Sequence, residues 1–204
     1  MTITNGYCTL AEFKAYVTVR AGTITTDAAD DTVIEDIIEA VSRRIDNLTG
    51  RRFWANTVDE TRYYQTHDQY NCPVDDLVTI TSVSVDYYDQ RSYTALSTTT
   101  DYELEPANAS TLGWPYNNIH ILPTSTVYFP VSKRGVKVVG DFGFPAVPDN
   151  IKTATLEIAL NVWMARQGQV SGGRMTVTAS GIVIRPEDIP PAVMQEIQFY
   201  RKRT

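Results

Sequence analysis

"VKVVGDFGFPAVPDNIKTATLEIALNVW", residues 136–163, decides how this chain is read. Its opening residues, Val136 to Phe142, have the period-two pattern of a half-buried strand. From Asp149 onward Ile151, Ala154, Ile158 and Val162 recur at steps of three and four, with Trp163 beside them, which is the apolar stripe of a helix. Between the two, Gly140, Gly143 and Pro145 are expected to turn the chain sharply, and Asp149, just after Pro148, to cap the helix that follows. The stretch therefore ends a β region and restarts a helical one.

Upstream, the chain also begins as helix. Thr9-Leu10-Ala11-Glu12 has capping-box spacing, so a short helix is expected over about residues 10–20. A polar loop, residues 23–30, then leads to a second cap at Asp31 or Thr32. Val33, Ile34, Ile37, Ile38, Val41, Ile45 and Leu48 form one face of a helix ending near Gly50.

From Thr57 the period changes to two. Residues 61–65, 80–87, 102–104, 119–122 and 136–142 are rich in β-branched and aromatic residues, and Pro73 and Asp89-Gln90-Arg91-Ser92 supply turn chemistry. Five or six short strands are expected, as a small antiparallel sheet or barrel. Downstream of residue 163, the helix should stop near Gly168, and residues 175–184 read as a hairpin within a loop or arm, 168–190. Pro190-Pro191 opens a last helix carrying Val193, Met194, Ile197 and Tyr200, and the chain ends Arg201-Lys202-Arg203-Thr204. The proline pair should isolate this helix so that its removal leaves the fold near intact. The fold class is therefore α+β: a core of about four helices, residues 1–56 plus 146–204, interrupted by a β-rich insertion, residues 57–145. No internal repeat is present.

Composition narrows the function. Residues are 43% hydrophobic and 21% charged, an ordinary globular balance, and no apolar run reaches the roughly 20 residues of a membrane span. The N-terminus has no basic start or apolar stretch of a secretory signal, so the chain is expected to stay in the cytoplasm where it is made. A net charge of −6 argues against a broad nucleic-acid-binding face. Cys8 and Cys72 are far apart and in no CxxC pair, so two buried thiols are expected rather than a disulfide.

The residues do not assemble a catalytic motif. The sequence contains no GxSxG, Walker or HExxH pattern. His67-Asp68 with Cys72 lacks the rest of a metal-ligand set, and His120, between Ile119 and Ile121, should face outward from a strand. Asp75-Asp76 and Glu187-Asp188 read as solvated charge. Catalytic, cofactor and metal residues are all assigned as none. The basic features are Arg43, Arg44, Arg51 and Arg52 about the end of the second helix, where the helix dipole favours positive charge, and the tail Arg201, Lys202 and Arg203.

Taken in order, "YCTLAEFKAYV", "IIEAVSRRIDNLTGRRF", "TRYYQT", "VDDLVTITSVSVD", "DYELEP" and "GVKVVGDFGFPAVPDNIKTATLEIAL" resemble the head-to-tail connector, or adaptor, family of tailed bacteriophages. The similarity runs from about Tyr7 to Trp163 and is weakest over 168–190. The resemblance implies a helical core with a β insertion, no catalytic residues and no cofactor. It implies a ring beneath the portal that joins the DNA-filled head to the tail, extends the DNA channel and helps retain packaged DNA. Implied partners are the portal ring, a stopper or tail-completion protein, further copies of the chain in a ring expected to be a dodecamer, and double-stranded DNA passing without sequence-specific binding. The resemblance implies a portal-facing C-terminal region, in which Phe199 and Tyr200 would anchor apolar contacts and Arg201, Lys202 and Arg203 would pair with acidic portal residues, in a protein of the virion assembled in the bacterial cytoplasm; the dyads Arg43-Arg44 and Arg51-Arg52, straddling one helix end, are candidate contacts with an acidic neighbouring subunit. A second reading uses Tyr63, Tyr64, Tyr87, Tyr88 and Tyr93, which would suit a receptor- or carbohydrate-binding virion module.

Overall fold

The computed structural model describes residues 3–21, 28–166, 176–177, 183–184 and 189–202. In chain order its elements are α1 (Leu10–Ala21), α2 (Ala28–Thr49), β1 (Glu60–Tyr64), β2 (Asn71–Val85), β3 (Thr94–Ala95), β4 (Tyr102–Glu105), α3 (Ala109–Leu112), β5 (Tyr116–Ile121), β6 (Val136–Phe142), α4 (Asp149–Arg166), β7 (Thr176–Val177), β8 (Val183–Ile184) and α5 (Pro191–Phe199). They fall into two compact units, Met1–Arg51 with Val147–Thr204, and Arg52–Ala146. The fold is α+β.

In the helical unit, α1 starts on the expected capping box: the Thr9 N–H donates to Glu12 Oε2 at 2.8 Å, and the Glu12 N–H to Thr9 Oγ1 at 3.2 Å. Glu12 also pairs with Lys152, and that hydrogen bond is the main reason its carboxyl is held below the usual glutamate range. Helix α2 begins at Ala28, earlier than the cap expected at Asp31 or Thr32; Asp30 and Asp31 lie in its first turn, where carboxylates favour the positive end of the helix dipole. Asp31 pairs with Lys14 of α1. Of the expected stripe, Ile34, Ile37, Ile38, Val41 and Ile45 are buried, whereas Leu48 is 37% exposed at its margin. This face packs most extensively against α4, whose Ile151, Ala154, Ile158 and Trp163 are buried in turn.

Three hydroxyls buried within these helices are satisfied locally. Ser42 donates to Ile38 O at 2.7 Å, Thr49 to Ile45 O at 2.9 Å and Thr155 to Ile151 O at 2.8 Å, so none is left unpaired in an apolar surrounding. Ser42 also accepts the Tyr7 N–H at 3.0 Å, which pins the segment before α1 against α2. Helix α5 departs from expectation. Val193, Ile197 and Tyr200 are buried, α5 packs on α4 and α2, and the Lys202 N–H donates to Thr49 O at 2.8 Å, so removing this helix would open the core rather than spare it. Strands β7 and β8 pair antiparallel within the expected hairpin. Glu187, Asp188 and Arg203 lie outside the described residues.

The β unit is built on an antiparallel sheet in the order β1-β6-β2-β5-β4, with β3 added to β2. The sheet is open and does not close into a barrel: β1 pairs only with β6, and β4 only with β5. Its core gathers Leu77, Val83, Val85, Ile119, Ile121, Phe129, Val136, Val138 and Phe142, all fully buried. Strand β2 is longer than the sequence suggests, running through Pro73 instead of starting beyond it. Around Pro73 it has a ladder with β5 alone and shifts register before Leu77, a setting in which a missing N–H is tolerated.

Gly140 is not a corner residue. It lies within β6, where a Cβ would meet Thr79 O at 2.2 Å, and permits β2 to bulge against it. The turn comes at Gly143, whose φ of +128° suits glycine and whose absent Cβ would fall 1.9 Å from Trp54 O. The two-residue β3 and one-turn α3 have no clear signal in sequence; each is too short to display a period. At the 86–92 corner the buried Asp86 carboxylate accepts the backbone N–H groups of Tyr88, Gln90 and Arg91, which holds Asp89 and Arg91 at positive φ.

Two substitutions test these assignments. Ile38→Ala should destabilise the protein by about 2–5 kcal/mol, whereas Asn47→Ala, on the exposed face of α2, should change it by less than about 0.5 kcal/mol, both read by denaturant unfolding. Gly143→Ala should cost about 3 kcal/mol, because both the backbone conformation and the Trp54 carbonyl oppose a side chain there.

Candidate functional site

The basic residues singled out from sequence are divided between the two units. Arg43, Arg44 and Arg51 belong to the helical unit and Arg52 to the β unit. Arg43 is engaged internally: its Nη2 donates to Asn5 O at 2.8 Å, its Nε lies 3.1 Å from Asp46 Oδ2, and its guanidinium carbon lies 5.6 Å from the centre of the Tyr7 ring. Arg44 is exposed and lines a groove of about 340 Å³ with Asp36, Ala40, Val162 and Arg166 along α2 and α4. Arg51 is held near Thr49, whose hydroxyl accepts its N–H at 3.2 Å.

Arg52 has a structural role in the β unit. Its Nη2 donates to Phe142 O at 2.7 Å, its Nη1 to Glu60 Oε1 at 3.2 Å, and its guanidinium lies 4.2 Å from the centre of the Trp54 ring. Glu60 is shared with Arg62, which also reaches Asp75 Oδ2 at 2.9 Å and stacks 4.0 Å from the Phe142 ring centre. Burial alone would raise the Glu60 carboxyl, but hydrogen bonds from Arg62 and Arg52 hold it below the usual range. The geometry is that of a brace between the start of the unit and the end of β6.

At the C-terminal end, Phe199 is 72% exposed and Tyr200 only 8%. The rings meet edge to face at 5.3 Å, so Tyr200 anchors the end of α5 while Phe199 projects outward. Arg201 is exposed beside it, and Lys202 is half-buried. These residues give the helical unit a small surface with one apolar and one cationic component.

The tyrosines divide by environment. Tyr64 is half-buried, its hydroxyl 3.2 Å from Asp75 Oδ2, and burial pushes its phenol up. Tyr87 packs on the core and meets Tyr128 at 5.0 Å, whereas Tyr88 is 82% exposed. Tyr63 and Tyr93 belong to a group that residue spacing did not single out. The Arg134 guanidinium lies 4.1 Å from the Tyr63 ring centre, Tyr63 meets Tyr93 at 5.8 Å, and Lys137 Nζ lies 5.1 Å from the Tyr93 ring centre. The register pair Tyr63↔Lys137 could only be found once β1 and β6 were known to be neighbours.

Residues with chemical potential elsewhere are occupied otherwise. His67 is exposed, and His120 Nδ1 lies 2.9 Å from Asn71 Oδ1 on the outer side of the sheet. Cys8 and Cys72 are free, buried thiols, each pushed up to about 12 by burial. Among the described residues no three His, Cys, Asp or Glu side chains converge as a metal site, and no helix is long and apolar enough to cross a membrane.

A solved chain from the neck of an empty GTA particle, computed with C6 symmetry, is similar to this one over 100% of this chain and 94% of its own, with a TM-score of 0.56 and 18% identity. The two chains share a fold. No protein-family model and no curated protein matches the sequence.

The brace about Arg52 carries a prediction. Arg52→Ala should lower the stability of the protein by about 1–3 kcal/mol, since it removes a charge-assisted bond to Glu60 and leaves the Phe142 carbonyl without this donor. Arg201→Ala should leave the melting temperature nearly unchanged; equal losses in the two variants would contradict the structural role given to Arg52.

Proposed function

We propose that this chain is a structural virion protein of a head-to-tail neck, forming a ring beneath the portal that joins the DNA-filled head to the tail, extends the DNA channel and helps retain packaged DNA. The observation that carries this reading is the likeness of fold, along the whole chain, to a chain from the neck of a phage-like particle computed with C6 symmetry. The ordered sequence signatures from Tyr7 to Trp163 support it independently of the fold. A ring of twelve copies is compatible with sixfold symmetry, two copies making up each repeating unit. The net charge of −6 suits a channel in which DNA must slide without adhering. The reading assigns the chain no catalytic step, cofactor or metal.

Phe199, the last residue of α5, and Arg201, just beyond it, are the proposed portal contacts. An exposed aromatic beside a cation is the type of residue pair that anchors a protein interface, the ring filling a pocket while the charge selects an acidic partner. Because Val193, Ile197 and Tyr200 are part of the core, the contact is to be tested by substitution at the exposed positions and not by removing the helix.

The alternative, a receptor- or carbohydrate-binding module, requires exposed ring faces on which a sugar can stack. Tyr63 and Tyr93 have cations over their rings, and Tyr64 and Tyr87 are part-buried, which leaves Tyr88 isolated. These five tyrosines therefore do not form one open aromatic face for a sugar.

Electron microscopy of particles carrying this protein should show it as a ring coaxial with the portal. Phe199→Ala combined with Arg201→Glu should give a folded protein and DNA-filled heads that leak DNA or fail to acquire tails. Normal yields of joined particles from this variant would move the portal contact away from α5, and density for the chain at a fibre tip would replace the neck reading with the receptor-binding one.

A further inference from the structure

Two regions on the outer side of the sheet carry opposite charge. At the β1 edge, Arg134 and Lys137 sit over Tyr63 and Tyr93, and the backbone of the same loop is fixed by two bonds: Tyr93 Oη donates to Arg134 O at 2.9 Å and Arg91 Nη1 to Lys133 O at 3.1 Å. Arg91 is paired with Asp89, but among the described residues Lys133, Arg134 and Lys137 have no carboxylate within 4.0 Å. Arg134 and Lys137 are thus unneutralised cations on an aromatic platform, with Lys133 exposed in the same loop, on a chain of net charge −6.

The opposite edge is acidic. In β4, Tyr102 and Leu104 pair with Ile121 and Ile119 toward the core, so Glu103 and Glu105 alternate to the outer side, opposite His120 and Asn118. Glu105 accepts a hydrogen bond from Asn118 Nδ2 at 2.7 Å, while Glu103 is exposed and has no ion pair among the described residues. Both edge strands retain one unpaired side, which is the surface by which one sheet can meet another.

We infer that the β1 edge of one copy docks against the β4 edge of the next, with Arg134, Lys137 and Lys133 facing Glu103 and Glu105 of the neighbour. The occupant is a second copy of this chain because the complementary charge is carried by the chain itself, at the other end of the same open sheet. An interface between two different edges is heterologous, and repetition of such an interface through a closing rotation generates a ring. Burying the Tyr63 and Tyr93 rings at the junction would supply apolar contact between the charged groups. This rests on the ring proposed above and assigns the subunit contact within it. A phosphate backbone is the competing occupant of the basic platform; it would leave the acidic edge without a role.

The test compares four forms of the full-length protein by electron microscopy and sedimentation, alone and co-expressed with the portal. Arg134→Glu with Lys137→Glu should reduce ring assembly at least about tenfold, and Glu103→Lys with Glu105→Lys should do the same. The combination of all four should restore rings, as should mixing the two double variants, whose edges are complementary only to each other. Wild-type rings treated with a zero-length carbodiimide, made from isotopically mixed copies, should yield intermolecular peptides joining Lys133 or Lys137 to Glu103 or Glu105; this measurement stands if a variant fails to fold. Rings that survive both reversals and lack these cross-links would overturn the inference while leaving the neck reading intact. Loss of DNA retention with rings intact, on reversing Arg134 and Lys137 alone, would overturn it in favour of phosphate. A wild-type protein that forms no ring even on the portal would remove both.

Discussion

The β unit depends on β6 having a partner on each side. Its ladder with β1 and its ladder with β2 share one alternation, in which Val136, Val138, Gly140 and Phe142 face inward and Lys137, Val139 and Asp141 face outward. A slip by one residue would drive Lys137 and Asp141 into the core, so the register of both neighbours is strongly specified. The close approach of Thr79 O to Gly140 allows the bulge in β2, and the Trp54 carbonyl beside Gly143 sets where the strand ends. Much of the outer surface follows from this strand, because Lys137 meets Tyr63 only through that register.

Buried polarity is handled alike in both units. Asp86 is 1% exposed, yet its carboxylate accepts three backbone N–H groups; Ser42, Thr49 and Thr155 return their hydroxyls to carbonyls one turn back. An unpaired group at such depth costs about 1–3 kcal/mol, so each of these bonds constrains the local backbone as well as stabilising it. The same principle limits the functional use of arginine. A guanidinium committed to Asn5 O or Phe142 O, as in Arg43 and Arg52, is poorly available to a partner, whereas Arg201 and Arg134 are exposed.

The chain's acidic balance and its basic surfaces are consistent with a single role. An overall negative protein resists nonspecific adhesion to DNA, and a few unneutralised cations on a rigid platform then select acidic protein surfaces at short range. On the neck reading, α5 and the β1 edge would use this logic toward different partners, the portal and the next copy. Solvent-exposed charge contributes little to folding, so these positions are free to serve assembly.

Local chemistry was sufficient for much of the architecture. The capping box at Thr9 and Glu12, the stripe from Ile34 to Ile45, the alternation of β6 and the restart at Asp149 are each written in residues a few positions apart, and side-chain period alone separates helix from strand. The α+β class was therefore legible. Elements whose cause is distant were not: β2 runs through Pro73 because β5 alone pairs there, Gly140 is a strand residue because Thr79 approaches it, and Leu48 lies at the exposed margin of a helix whose next residue, Thr49, is buried. The site was less legible than the fold. Arg43 and Arg52 read as surface charge in sequence, and the Arg134, Tyr63, Tyr93 and Lys137 platform draws on residues up to 74 positions apart, the separation of 63 and 137. Sequence by itself determined the longer helices and strands and which of their faces are apolar, since those depend on neighbours along the chain; tertiary structure decided the shortest elements, the length of β2, and which charges are spent internally and which remain exposed, since those depend on strand order and register.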